Sequence, residues 1–151
     1  MTSKRKDIIN ILKEKSPLAG QLADYEIIEL AYIMPLRSYD ENTVIVKEGE
    51  PATSMMFIIS GEVNIHHNKH LVAKLTPGNI FGEAMFSDQG IRMADVVAVE
   101  PTEVLVFDLT MYELLLQQNA KVALKCKFIF EQLYKQNVTA NESFFTIDHR
   151  K

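Results

Sequence analysis

Between Leu36 and Asp108 the chain is a succession of short β-rich runs, with no helical stretch between most of them. Val44-Ile45-Val46, Met56 to Ile59, Val63-Asn64-Ile65, Leu71-Val72-Ala73, Val96 to Val99 and Val104 to Phe107 are rich in branched and aromatic residues. Turn chemistry separates them: Asp40-Glu41-Asn42, Glu48-Gly49-Glu50-Pro51, Ser60-Gly61, Asn68-Lys69, Thr76-Pro77-Gly78 and Glu100-Pro101. Strands this short and this close together pair with antiparallel neighbours, so the pattern predicts an antiparallel barrel or jelly roll.

Helical periodicity flanks that region. Ile8, Ile9, Ile11 and Leu12 among lysines predict an amphipathic helix over 4–15, stopped near Ser16-Pro17. A second helix fits 24–33, with Asp24 as N-cap and Ile27, Ile28, Ala31 and Tyr32 on one face. After the strands, Thr110 or Asp108 can cap a helix carrying Tyr112, Leu114, Leu115 and Leu116. A last helix over about 120–136 places Val122, Cys126, Ile129 and Leu133 on a heptad-like seam, widened by Ala123, Phe130 and Tyr134. One face can pack on the barrel and the other can meet a partner helix, so a homodimer contact through this helix is expected. The expected organisation is one domain over 1–136, with the barrel at 36–108, C-terminal helices at 109–136 and a short tail at 137–151.

One loop concentrates polar groups. Pro77-Gly78-Asn79-Ile80-Phe81-Gly82-Glu83 is followed nine residues after the glutamate by Arg92, and then by Met93-Ala94-Asp95. Gly82 allows positive φ or close backbone approach. Glu83 and Ala84 would open a short helical turn whose first N–H groups lack intrahelical acceptors. Arg92 brings a fork of donors matched to phosphate oxygens. Together these groups suit a sugar phosphate. The competing reading of Arg92 is a structural ion pair with Glu83, Asp88 or Asp95, and Glu83 can equally cap its own turn.

Bulk properties narrow the partner. With 151 residues, 47% hydrophobic and 24% charged, the chain can bury a core and is not of disordered composition. Its net charge of −4 opposes nucleic-acid binding by bulk electrostatics, so phosphate recognition must be local. Cys126 is the single cysteine, and there is neither a long apolar run nor a signal-peptide pattern; a cytoplasmic location without membrane insertion is expected. No nucleophile–base or paired-carboxylate arrangement emerges, so an enzyme is not expected. His66, His67 and His70 at a hairpin read as solvated residues rather than a metal site, and no metal or cofactor is expected. Cys126 reads as a buried structural thiol.

With strands and loop placed, the chain from about 22 to 136 resembles the cyclic nucleotide-binding domain of catabolite-activator-type regulators, kinase regulatory subunits and gated channels. The resemblance is carried by Gly49-Glu50, by Phe57-Ile58-Ile59-Ser60-Gly61-Glu62-Val63 and by Pro77-Gly78-Asn79-Ile80-Phe81-Gly82-Glu83. It implies a mainly β fold with flanking helices: an antiparallel jelly-roll barrel, N-terminal helices, and a C-terminal helix acting as lid and dimer element. It also implies a ligand site. Glu83 would accept from the ribose 2′-hydroxyl, Gly82, Ala84 and Ala94 would offer amides, and Arg92 would pair with the cyclic phosphate. Met85 and Met93 would stand beside the ligand where the family usually has other residues, and Asp95 replaces a frequent threonine. The missing hydroxyl favours cAMP over cGMP. The implied function is a non-catalytic sensing module whose ligand repositions the last helix. The alternative is a degenerate domain that no longer binds nucleotide and serves as a dimerisation or interaction module. Tyr134 or the Phe144-Phe145 pair can cover the base.

Overall fold

Every residue of Met55–Ile59 and Val104–Phe107 is buried, which a strand achieves only when both of its faces are covered. In a computed structural model of the protein, describing residues 3–87 and 89–140, those strands lie in the middle layer. The elements are α1 (Ser3–Lys15), α2 (Asp24–Ile33), β1 (Leu36–Tyr39), β2 (Val44–Val46), β3 (Ser54–Ser60), β4 (Val63–His67), β5 (His70–Leu75) and β6 (Ile80–Phe81). A single 3₁₀ turn at Glu83–Phe86 follows, then β7 (Asp95–Ala98), β8 (Thr102–Asp108), α3 (Leu109–Gln118) and α4 (Ala120–Ala140). Two four-stranded antiparallel sheets result, ordered β1-β8-β3-β6 and β2-β7-β4-β5. This is the expected jelly roll, but its two sheets do not close into a continuous barrel.

The pleat then divides the core in two. Met55, Phe57 and Ile59 of β3, with Leu105 and Phe107 of β8, face a cluster built from all four helices. Met56, Ile58, Val104 and Val106 point the other way and meet Val46, Val63, Phe81 and Val96 between the sheets. β1 and β6 carried no strand signal in the sequence. β1 is almost wholly exposed and β6 is two residues long, so neither has an alternation to read.

The helices depart from expectation in places. Asp24 is the first helical residue of α2, and Ala23 is its N-cap. The Ala23 N–H donates to Glu26 Oε1 at 2.9 Å, so the carboxylate satisfies the helix start from inside. Tyr32 leaves the apolar face; it is exposed, with the Arg5 guanidinium 4.3 Å over its ring. Leu30 takes the buried position instead. In α3 the N-cap is Asp108, which accepts from the Met111 N–H at 2.7 Å; of its four leucines only Leu115 is buried.

Both apolar faces of α4 are consumed inside the chain. Val122, Ala123, Cys126, Ile129 and Phe130 all join the helix-side core, with Leu133 packed against it. The expected homodimer seam is therefore an intramolecular stripe, and among the described side chains the large apolar residues α4 leaves exposed are Leu124 and Phe128. Burial pushes the Cys126 thiol up to about 12, consistent with an unreactive core residue.

Glu26 is buried and also accepts from Lys125 Nζ at 3.0 Å, tying α2 to α4. The backbone donor at Ala23 holds its carboxyl below the usual range, with Lys125 adding to the effect. A carboxylate whose folded pKa lies below its unfolded value contributes stability above the unfolded pKa and loses it as pH falls through the folded one. Glu26→Gln is accordingly expected to flatten the acid limb of a stability–pH curve below about pH 4.5, measured by urea denaturation. An unchanged acid limb would remove this role.

Candidate functional site

The loop singled out by the sequence becomes one wall of a cavity. Gly82 sits at φ +86°, where a left-handed conformation reverses the chain from β6 into the 3₁₀ turn. A Cβ there would stand 2.5 Å from Arg92 Nη1 and 2.8 Å from the Ser54 carbonyl oxygen, so the site has no room for a side chain. Gly82→Ala is expected to displace the arginine, weakening ligand binding at least about tenfold. Calorimetric titration checks this, and affinity equal to that of the unaltered protein would refute it.

Arg92 is buried, yet its hydrogen bonds among the described residues go to neutral oxygens. Nη1 donates to Ser54 O at 2.6 Å and to Gly82 O at 3.3 Å, and Nη2 donates to Ser54 Oγ at 3.1 Å. Burial pulls its pKa below the ordinary value, opposed by the negative charges of Glu83 and Glu50. A guanidinium remains protonated even so. The result is a cation held by two backbone oxygens and a serine hydroxyl at the edge of a cavity, with no carboxylate of the described residues in ion-pair contact.

That cavity, about 180 Å³, is well above the voids a packed interior tolerates. Its polar end is Gly82, Glu83, Ala84, Arg92, Met93 and Ala94. Its apolar end is walled by the second sheet, including Ile65, Val72, Leu75 and Val96, and Tyr134 of α4 reaches its rim. Six of the seven residues singled out from the sequence thus share one cavity. Met85 does not; its side chain is buried in the helix-side core, on the side of the 3₁₀ turn against which α4 packs. Asp95 is also turned away, accepting the Glu48 N–H at 2.7 Å. Of the two candidate base covers, Tyr134 is in place, while Phe144 and Phe145 lie outside the described residues, as does Asp88.

One functional-site neighbour was missed. His67 is buried, not solvated, and a carboxylate does sit beside it: Nδ1 lies 2.8 Å from Glu48 Oε1 and 3.0 Å from the Met93 carbonyl oxygen. Hairpin position alone gave no signal for this, since β4 extends two residues beyond its β-rich run, to His67. No group of three potential metal ligands occurs among the described residues. Among them no helix is long and apolar enough to cross a membrane.

Similarity to known proteins places the chain in a family. The family profile described as "Cyclic nucleotide-binding domain" matches residues 36–119. The cyclic AMP receptor protein of Thermus thermophilus is 34% identical over 96 residues, covering 60% of this chain and 44% of that protein. The cAMP-dependent protein kinase regulatory subunit of Dictyostelium discoideum is 25% identical over 115 residues, covering 71% and 35%. The chain spans less than half the length of the curated relatives it matches. Among solved structures, a cyclic nucleotide-binding domain from Methylobacillus flagellatus superposes with a TM-score of 0.71 at 26% identity, covering 97% of this chain and 84% of that one. The jelly roll, the glycine-flanked turn and the buried arginine are thus features of a chain that belongs to the cyclic nucleotide-binding domain family.

Proposed function

We propose that the protein is a non-catalytic, cytoplasmic sensing module that binds a cyclic nucleotide, cAMP in preference to cGMP, and transmits occupancy through α4. The observation that carries this is Arg92: a buried guanidinium held by neutral oxygens at the polar end of an otherwise apolar cavity. An anion there gains a charge-assisted pair in a desolvated site, and a ring system fits the apolar end. Glu83, at the start of the turn, would take the ribose hydroxyl, and the amides of Ala84 and Ala94 would complete the phosphate seat. Met93 lines the cavity without a hydroxyl to offer a guanine, which supports the adenine preference.

Support for transmission comes from packing. Phe86 of the cassette turn stacks on Phe130 of α4 with centroids 6.2 Å apart, and Tyr134 of the same helix borders the cavity. A ligand that shifts the turn therefore acts directly on α4, biasing two positions of that helix. The degenerate-module alternative drew on Met85, Met93 and Asp95, and two of those three side chains do not border the cavity. Leu124 and Phe128, exposed on α4, are available to a dimer contact.

The test is calorimetric titration with cAMP and with cGMP. Micromolar binding of cAMP, weaker for cGMP, is the expected result. Silence from both at millimolar ligand would overturn the reading in favour of an interaction module.

A further inference from the structure

The phosphate end of the cavity is formed by Arg92, Met93 and Ala94, which precede the regular ladder of β7; that ladder begins at Asp95, paired with His66. A backbone segment outside a ladder needs other anchors to hold its groups in place. Most come from the turn between β2 and β3. The Gly49 N–H donates to Arg92 O at 3.0 Å, the Arg92 N–H to Glu50 O at 2.8 Å, and the Glu48 N–H to Asp95 Oδ1 at 2.7 Å. Met93 is fixed differently, by the buried ring of His67.

Both oxygens near His67 Nδ1, a carboxylate and a carbonyl, can only accept. Nδ1 therefore carries a proton and is shared between Glu48 Oε1 and Met93 O. The ring is mostly enclosed, its side chain 9% exposed, while the Glu48 side chain is 34% exposed. In such a setting the arrangement fixes both the tautomer and the plane of the imidazole. The ring joins three elements: the end of β4, the β2–β3 turn and the segment bearing the arginine.

We propose that His67, oriented by Glu48, is a positioning residue for the anion seat: it holds the Met93 carbonyl so that Arg92 and the Ala94 amide converge on the ligand's phosphate. It touches no ligand itself. The proposal rests on the cyclic-nucleotide reading for its effect on affinity, but the clamp on the backbone exists without ligand and is measured separately.

The experiment compares His67→Leu, which keeps volume without a donor, with His67→Asn, whose amide nitrogen can reproduce the Nδ1 donor. Amide hydrogen exchange of residues 92–95 is read in the ligand-free protein, and cAMP affinity by calorimetry. Faster exchange at 92–95 and about tenfold weaker binding in His67→Leu are expected, both largely restored in His67→Asn. Should His67→Leu fail to fold, Glu48→Ala removes one half of the clamp from a half-exposed position and is read in the same way. Unchanged exchange, or equal damage from Leu and Asn, overturns the proposal and leaves His67 as packing. If the unaltered protein binds neither cAMP nor cGMP while the exchange pattern holds, the nucleotide reading fails and the clamp stands.

Discussion

Arg92→Ala is expected to weaken cyclic nucleotide binding by about 100-fold or more, the largest functional loss from any single substitution in this chain. The guanidinium can direct two parallel N–H groups at a phosphate, and hydrogen bonds to charged partners contribute about 1.5–3 kcal/mol each. Burial keeps water from competing for either partner. Ser54 and Gly82 hold the group in place beforehand, so little ordering of the side chain is left to do on binding. Arg92→Lys is expected to fall between, since it keeps the charge and loses the fork. The variant also strands the Ser54 carbonyl and hydroxyl, so thermal unfolding must accompany the titration to separate affinity from folding. Affinity of a folded Arg92→Ala protein within about threefold of the unaltered one would end the case for this arginine as the phosphate partner.

Phe130→Ala carries the largest expected loss of stability, about 3–5 kcal/mol. The ring is fully buried and meets three others: Phe57 at 6.0 Å, Phe107 at 5.5 Å and Phe86 at 6.2 Å between centroids. Phe57 and Phe107 belong to the middle sheet and Phe86 to the cassette turn, so one side chain fastens α4 to both. Removing it leaves a cavity that rigid neighbouring strands cannot close. Urea denaturation measures the loss. Hydrogen exchange is expected to rise along α4 more than in β3 and β8, because the strands keep their contacts between the sheets. A loss below about 1 kcal/mol would mean that α4 is held by other contacts, and that the route from cassette to helix does not run through this ring.

Fold class was legible because its signals are local. β-rich composition in short runs, turn residues between them and an amphipathic period on either side are properties of neighbouring residues, and they placed β2, β3, β4, β5, β7 and β8. The cassette was legible for the same reason, since Gly82 through Ala94 are close in sequence and converge by the turn they themselves make. What failed was orientation across elements. Met85 looked like a cavity residue until α4 covered its side of the turn. Asp95 stood where the resemblance puts a threonine and as a candidate partner of Arg92, until the Glu48 N–H met it from a turn 47 residues away.

His67 and α4 show the same division. A histidine next to a hairpin is solvated unless a separate segment covers it, and here Glu48 and Met93 do so from two other elements. A helix with two apolar faces exposes one unless the fold supplies partners for both; β3, β8 and the cassette turn supply them. The sequence by itself determined β2, β3, β4, β5, β7 and β8, the reversing glycine and the donor set of the loop, because backbone conformation and turn chemistry are set within a few residues. Only the tertiary structure decided which of those groups face the cavity and which are anchored behind it, because burial and hydrogen-bond partners belong to pairs of residues that the chain brings together from far apart.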